Sequence, residues 1–479
     1  MIPSIALDQT GGAPLYRQIY ERVREAIGAG TLRPGEKLPS ARSLASQLGI
    51  ARGTADAAYA LLAGEGYIVS RGPAGTQVSP QLTAPLAASR RATAPPPHAS
   101  AIGSSLALPF RMGLPALDLF PRKLWSRLAM REARIFSAGR MADADPAGYL
   151  PLREAIAAYL AISRGIASAP SQIFITGGYQ GALDLVARVL LRPGNAAWVE
   201  DPGYVLAREA LAAAGARVVP VRVDDDGMRV EEGIARAPDA RFVAVTPSHQ
   251  SPLGVALSLP RRLALLAWAK AAGAWVIEDD YDSEFRYTGH PLPALKSLDL
   301  DERVLYAGSF SKVLFPALRL GYLLVPEAQV PAFSAVCRLS QWGRGVHDQA
   351  VVAAFMAEGH FPRHLKRMRG LYGARRAALA SALTSVFGDR LAIELQAGGM
   401  HLLARVAGAA SDVELVRQAN AAGLAPTPLS DTCVAHDCGQ GLLLSFTNIA
   451  ETDAPGVAQV LERAIGPALR PVNTYAGRR

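Results

Sequence analysis

The chain has 479 residues, half of them hydrophobic and 19% charged, a globular balance that excludes wholesale disorder and leaves room for two to four domains at roughly 100–200 residues each. Its 50 Lys+Arg against 41 Asp+Glu give a net charge of +9, mildly favourable for a polyanionic partner but not diagnostic of one.

The N-terminal MIPSIALDQTGG has no basic region followed by an apolar run and a cleavage site, and no uncharged stretch reaches about 18 apolar residues. A soluble, unexported, cytoplasmic protein without membrane contact is expected. PLYRQIYERVREAIGAG then places Leu15, Ile19, Val23, Ala26 and Ile27 at helical spacing before Gly28 and Gly30 stop the helix. LPSARSLASQLGI predicts a second helix, with Ser40 as N-cap and Leu44, Ala45 and Leu48 on one face ahead of Gly49. A tight turn leads to a third, RGTADAAYALLAGEGY, which makes a helix-turn-helix. YIVSRGPAGTQVS reads as two short strands around Gly72, Pro73 and Gly75, a wing hairpin. From 81 to 105 the chain is rich in Pro, Ala and Ser without apolar periodicity, so a semi-extended linker separates residues 1–80 from 106–479.

A helix entering the DNA major groove must present long or hydrogen-bonding side chains at its N-terminus, with small residues that allow close approach. Arg52, Gly53 and Thr54 suit that position, and Arg42 suits a phosphate or guanine contact from the preceding helix. Charge does not decide the matter, since eight Lys+Arg against six Asp+Glu leave residues 1–80 at only +2. The wording is more telling. The turn RPGEKLPS with R-x-T and A-Y-x-x-L, within some 65 continuous residues, closely resembles the winged helix of the GntR superfamily of bacterial transcription regulators, which implies binding to double-stranded operator DNA through Ser40, Arg42, Arg52, Gly53, Thr54 and Gly75. Ala51 and Ala55 depart from the usual pattern, where serine or threonine and valine stand.

Beyond the linker, QIFIT, AAWVE, ARVVPV, RFVAVT, AWVIEDD and RVLYAGS alternate with helix-like stretches such as GALDLVARVLL and PRRLALLAWAKAAG. That is an α/β pattern with a largely parallel sheet, in which ligands bind beyond the carboxyl ends of the strands. The strand-end residues are therefore the site candidates. GGYQ, with Gly178, Tyr179 and Gln180, opens a helix that can hold a phosphate. Tyr204 can lie against a flat ligand, and His249 and Gln250 offer polar groups in a turn. Asp279 can neutralise a cationic ring nitrogen, and Tyr281 can donate to a phenolate-like oxygen. SFSK brings Ser309, Ser311 and Lys312, with Arg319 seven residues on.

Together these residues specify one chemistry. A lysine amine forms a Schiff base with an aldehyde, and pyridoxal 5'-phosphate (PLP) further needs a phosphate cradle, a carboxylate on its ring nitrogen and a stacking partner. Lys312 supplies the first; Ser309, Arg319 and the GGYQ turn the second; Asp279 and the tyrosines the rest. No metal is required. Cys337, Cys433 and Cys438 are too few for a disulfide framework, and Cys433, His436 and Cys438 lack the second ligand pair of a zinc site, so semi-buried thiols in a reducing cytosol are expected.

DPAGYLPLREAIAAYL, ITGGYQGALDL, EDPGY, EDDYDSEFRY and SFSKVLFPALRLGY make residues from about 110 to 470 resemble a fold type I, class I aminotransferase with a small C-terminal α+β subdomain. An aminotransferase-like domain behind a GntR-type winged helix is the architecture of the MocR subfamily. The resemblance implies a multidomain, head-to-tail homodimer that senses an amine, an amino acid or PLP itself through an aldimine at Lys312. The alternative is a working aminotransferase carrying a DNA-binding module. A transaminase fixes its substrate's carboxylate with an arginine near the C-terminus; Asn448, in LLLSFTNIAETD, stands where that arginine is expected, which places Asn448 in the effector pocket and speaks against turnover. HQSPLG also departs from HQ-aromatic-PTG, with Ser251 and Leu253 beside the cofactor ring.

Overall fold

The computed structural model describes residues 7, 13–72, 75–82, 108–137, 139, 145–289, 292–340, 345–408 and 410–469. The chain divides into two compact units, 1–105 and 106–479. The linker expected at 81–105 lies, from residue 83 on, outside the described residues.

In the first unit, α1 (Leu15–Gly28) turns Ile19, Val23, Ala26 and Ile27 inward. The α2 helix (Ala41–Leu48) starts where the Ser40 hydroxyl accepts from Ser43 N at 3.1 Å, and it ends at Gly49 in the left-handed region that glycine favours. The α3 helix (Arg52–Gly64) buries Ala55, Ala58, Tyr59 and Leu62 against the same core, at roughly 1.5–3 kcal/mol for each large apolar side chain removed from water. The two strands of the wing, β2 (Ile68–Ser70) and β3 (Thr76–Val78), pair antiparallel. A third strand, β1 (Lys37–Leu38), escapes sequence reading because it is two residues long; it pairs with β3. Its register explains two motifs at once. Gly35 N donates to the Val78 carbonyl and Val78 N to that of Glu36, so the RPGEKLPS turn is stitched to the wing, while the Tyr59 hydroxyl donates to the Pro39 carbonyl at 2.9 Å.

The second unit is built on an eight-stranded sheet of order β4 (Ile173–Thr176), β11 (Gly321–Leu324), β10 (Val304–Ser309), β9 (Trp275–Asp280), β8 (Phe242–Val245), β5 (Ala196–Asp201), β6 (Arg217–Asp224), β7 (Gly227–Met228). From β10 through β6 the neighbours run parallel. β11 runs against both β10 and β4, so β4 points the same way as β10. Both faces are covered: in β4, Phe174 joins one core cluster while Ile173 and Ile175 join another, which is why these runs lack polar alternation. A four-stranded antiparallel sheet follows, in order β12 (Leu391–Glu394), β13 (His401–Val406), β15 (Gly441–Ser445), β14 (Thr427–Pro428). Leu442 and Leu444 of β15 pack into the cluster that also holds the helices His360–Phe387 and Ala454–Ile465. Leu443 faces the other way, onto Leu403 and Leu429, with Met112 and Leu253 against them.

Candidate functional site

The carboxyl ends of β4, β5, β8, β9 and β10 surround a cavity of about 420 Å³, a size suited to a cofactor and a small ligand. One end is polar and tight. Gly178, at φ +78°, caps the helix Tyr179–Leu190, and a methyl group built on it would sit 4.0 Å from the hydroxyls of both Ser309 and Ser311. Ser311 N donates back to the Ser309 hydroxyl at 3.2 Å. Gln180 and Arg319 line the same cavity. Gly321 admits this closeness, because a Cβ there would come within 2.7 Å of Gly178 Cα.

Lys312 follows β10 with its Nζ in the cavity, donating to the Gly113 carbonyl at 3.2 Å. Asp279 lies inside β9, 6% exposed, and its Oδ1 has no hydrogen-bond partner. Tyr281 lines the cavity beside it; its hydroxyl is 3.0 Å from His249 Nδ1, which is 3.1 Å from Asp282 Oδ1. His249 thus stands behind Tyr281 as a support. Tyr204, 40% exposed, sits at the rim with its ring centroid 6.2 Å from that of Tyr179.

In the first unit, Ser40 caps α2, Arg42 is exposed on it, and Arg52 and Gly53 are exposed at the start of α3 with Thr54 half-buried. Arg52 pairs with Asp56 across one turn at 3.4 Å, an exposed pair worth about 0.3–0.5 kcal/mol, easily exchanged for a phosphate or a base. Gly75 adopts φ +91° in the hairpin that joins β2 to β3.

Residues 15–78 match the bacterial regulatory proteins of the gntR family, and residues 130–433 match the aminotransferase class I and II family. The chain is similar along nearly its whole length to the probable rhizopine catabolism regulatory protein MocR of Rhizobium meliloti, at 37% identity over 93% of this chain and 92% of that one. It is 35% identical to the pyridoxine biosynthesis regulator PdxR of Corynebacterium glutamicum, covering 83% and 84%. The chain belongs to the MocR subfamily of GntR-type transcription regulators. Among solved structures, its second unit resembles the kynurenine aminotransferase of Pyrococcus horikoshii, crystallised with PMP (TM-score 0.69, 27% identity, 77% of this chain and 92% of that one), and LysN of Thermus thermophilus, crystallised with a phosphopyridoxyl-leucine adduct (TM-score 0.68, 28% identity, 75% and 92%).

Like the family, this MocR-type chain uses PLP, and its residues fit the group. The Asp279 carboxylate, with one oxygen unpartnered, would accept from a cationic ring nitrogen. Gly178, the two serines, Arg319 and the helix N-terminus would offer donors to a dianionic phosphate. Burial pulls the Lys312 amine below the ordinary lysine range, with Asp282 and Asp279 opposing, so it is more readily found in the neutral, nucleophilic form that attack on an aldehyde requires. Burial pushes the Asp279 carboxyl well up, Asp280 adding and Lys312 opposing, and a cationic ring would oppose it further. Burial likewise pushes Tyr281 well above the ordinary phenol range, keeping its proton available for donation.

Two expectations are corrected. Asn448 does not line the cavity: it lies beyond β15, and its Nδ2 donates to the Leu108 carbonyl at 3.0 Å. The residue of that segment that reaches the cavity is Leu443, five positions earlier, because strand alternation turns it away from the helices. Cys433 and Cys438 are not thiols but form a disulfide. The Asp201 carboxylate, fully buried at the end of β5, accepts from the backbone of Val434, Ala435 and His436 and from His436 Nδ1. That curls the segment until the two cysteine Cα atoms are 6.7 Å apart. Sequence reading also missed Met112, Met400, His401 and Thr432 as cavity residues; they belong to no recognisable motif and arrive from remote parts of the chain.

Proposed function

We propose that the chain is an effector-sensing repressor or activator that works in the cytoplasm as a head-to-tail homodimer, its two winged helices gripping paired half-sites of an operator. PLP, held at Lys312, would supply an electrophilic carbon on which an incoming amine can take the place of the lysine amine, which is released and can return. In this reading Ser309, Ser311, Gly178 and Arg319 hold the phosphate, Asp279 holds the ring nitrogen, and Tyr281, positioned by His249, donates to the ring oxygen. Tyr179 and Tyr204 border the entrance. Arg42, Arg52 and Thr54 read the DNA, with Ser40 fixing the helix that precedes them and Gly75 shaping the wing. The observation that carries the proposal is the buried Asp279 carboxylate, one oxygen unpartnered, lining the same cavity as Lys312, in one chain with a GntR recognition helix whose first residues are exposed.

Sensing requires that the ligand bind two conformational states unequally, and typical couplings of about 1–3 kcal/mol change DNA affinity roughly 5–150-fold. The test is fluorescence anisotropy of full-length protein on the DNA upstream of its own gene, with and without PLP and candidate amines. Arg52→Ala is expected to weaken binding by at least about tenfold while the bound PLP is retained. Equal binding by the variant, or DNA affinity indifferent to PLP and to every amine, would overturn the proposal.

A further inference from the structure

The cavity around Lys312 has two unlike sides. Strand ends form one, carrying Lys312, Arg319, Asp279 and Tyr281. The other comes from the four-stranded subdomain and a neighbouring segment: Met112, Met400, His401, Thr427, Thr432 and Leu443. Its centre is apolar. Leu443, 2% exposed, packs on Leu403 and Leu429, and Leu253 and Met112 lie against the same cluster.

The charges on the cavity wall decide what can enter. Among the described residues the lining cations are Lys312 and Arg319, and bound PLP would engage both: Lys312 by its attachment, Arg319 by the phosphate. His401 is not a third. Burial and the nearby His249 hold it down at about 4, and its Nε2 lies 2.9 Å from the Pro252 carbonyl. The ring is therefore neutral near pH 7, donates from Nε2 and retains an acceptor at Nδ1. Thr432 gives its hydroxyl proton to the Leu429 carbonyl and likewise keeps acceptor capacity. Asp282 adds a carboxylate beyond Asp279.

An entering carboxylate would exchange its water for methyl groups, lone pairs and like charge, and an unpaired buried charge costs several kcal/mol. Hydroxyl groups and aliphatic carbons meet no such penalty. The acceptors suit hydroxyl donors, and the leucines and methionines suit carbon.

We propose that the effector of this chain is a primary amine with an uncharged tail and no carboxylate, and that Leu443, backed by Leu253, sets that choice. The proposal rests on PLP-based sensing at Lys312 and names the class of ligand that this site accepts.

Matched pairs test it on the PLP-loaded, full-length protein: 2-aminoethanol against L-serine, 4-amino-1-butanol against 4-aminobutanoate, and 3-methylbutylamine against L-leucine. The readout is the change in the visible band of bound PLP on titration. Each amine should half-saturate at a concentration at least about a hundredfold below that of its carboxylate partner, the size expected when a charged group loses its hydrogen bonds. Leu443→Arg should narrow or invert the ratio by tenfold or more, while Leu443→Met should keep it, showing that repacking alone is not responsible. Equal half-saturation within the pairs, or tighter binding of the carboxylates, with the PLP band present in the starting protein would overturn this proposal alone. Absence of any band would overturn the cofactor reading and this proposal with it, so the two failures are told apart before the first addition. The comparison on the parent protein decides the matter even where the arginine variant does not fold.

Discussion

Asp279→Asn separates what the site does from what holds the fold together. The side chain is 6% exposed, with one oxygen unpartnered and Asp280 adding like charge. Asparagine keeps the volume and removes the charge. A hydrogen bond to a charged partner contributes about 1.5–3 kcal/mol, so PLP should bind the variant roughly 10–150-fold more weakly. The apo protein should respond in the opposite sense. Because burial raises the folded carboxyl above its unfolded value, the stability this group contributes is complete below the unfolded carboxylate range and is lost as pH rises. At pH 8 the penalty is therefore in force, and asparagine relieves it. PLP titration by quenching of intrinsic fluorescence gives the first quantity, and melting of the apo proteins at pH 8 gives the second. A variant that binds PLP within twofold of the parent, or an apo variant that melts lower, would refute the assignment of Asp279 as a carboxylate retained for the cofactor at the expense of stability.

Glu200, Glu278 and Glu284 are each pushed up by burial to about 7. Their contribution to stability is full below about 4.5 and declines as pH climbs through 7. Glu200→Gln should gain on the order of 1–3 kcal/mol over the parent at pH 8 relative to pH 5; melting curves with the same pH dependence in both proteins would contradict this. Leu62 is fully buried in the core of the winged helix, so Leu62→Ala should cost about 2–5 kcal/mol, a large part of what a small domain has. DNA binding should fall sharply while the PLP band persists, whereas unchanged DNA affinity would show that α3 is not held by that core.

The winged helix was legible in detail because its signals are local: a serine cap at Ser40, a stripe at Ile19 and Val23, glycine at Gly49. The sheet was legible because buried runs such as QIFIT and AAWVE have no polar alternation. Escaping notice was β11, a four-residue strand running antiparallel inside an otherwise parallel region and hidden behind the lysine motif. That Gly178, Tyr204, Asp279, Tyr281, Ser309 and Lys312 would line one cavity could be read because they lie at or just beyond strand ends. The opposite wall could not, because Met112, Met400 and Leu443 meet only through packing of the subdomain, and a short alignment pointed to Asn448 where Leu443 lines the cavity. The cysteine pair escaped for a similar reason: what bends residues 433–438 is Asp201, more than 230 positions away.

The central claim is that Lys312 anchors PLP in a DNA-binding regulator, and borohydride reduction tests it most directly. Purified full-length protein should carry a visible PLP band, and reduction should fix the cofactor irreversibly on the peptide containing Lys312, as read by mass spectrometry. Lys312→Ala should lose the band and yield no reduced adduct on any peptide. A variant that still carries borohydride-fixed PLP at another lysine, or a parent protein without any adduct at Lys312, would contradict the account.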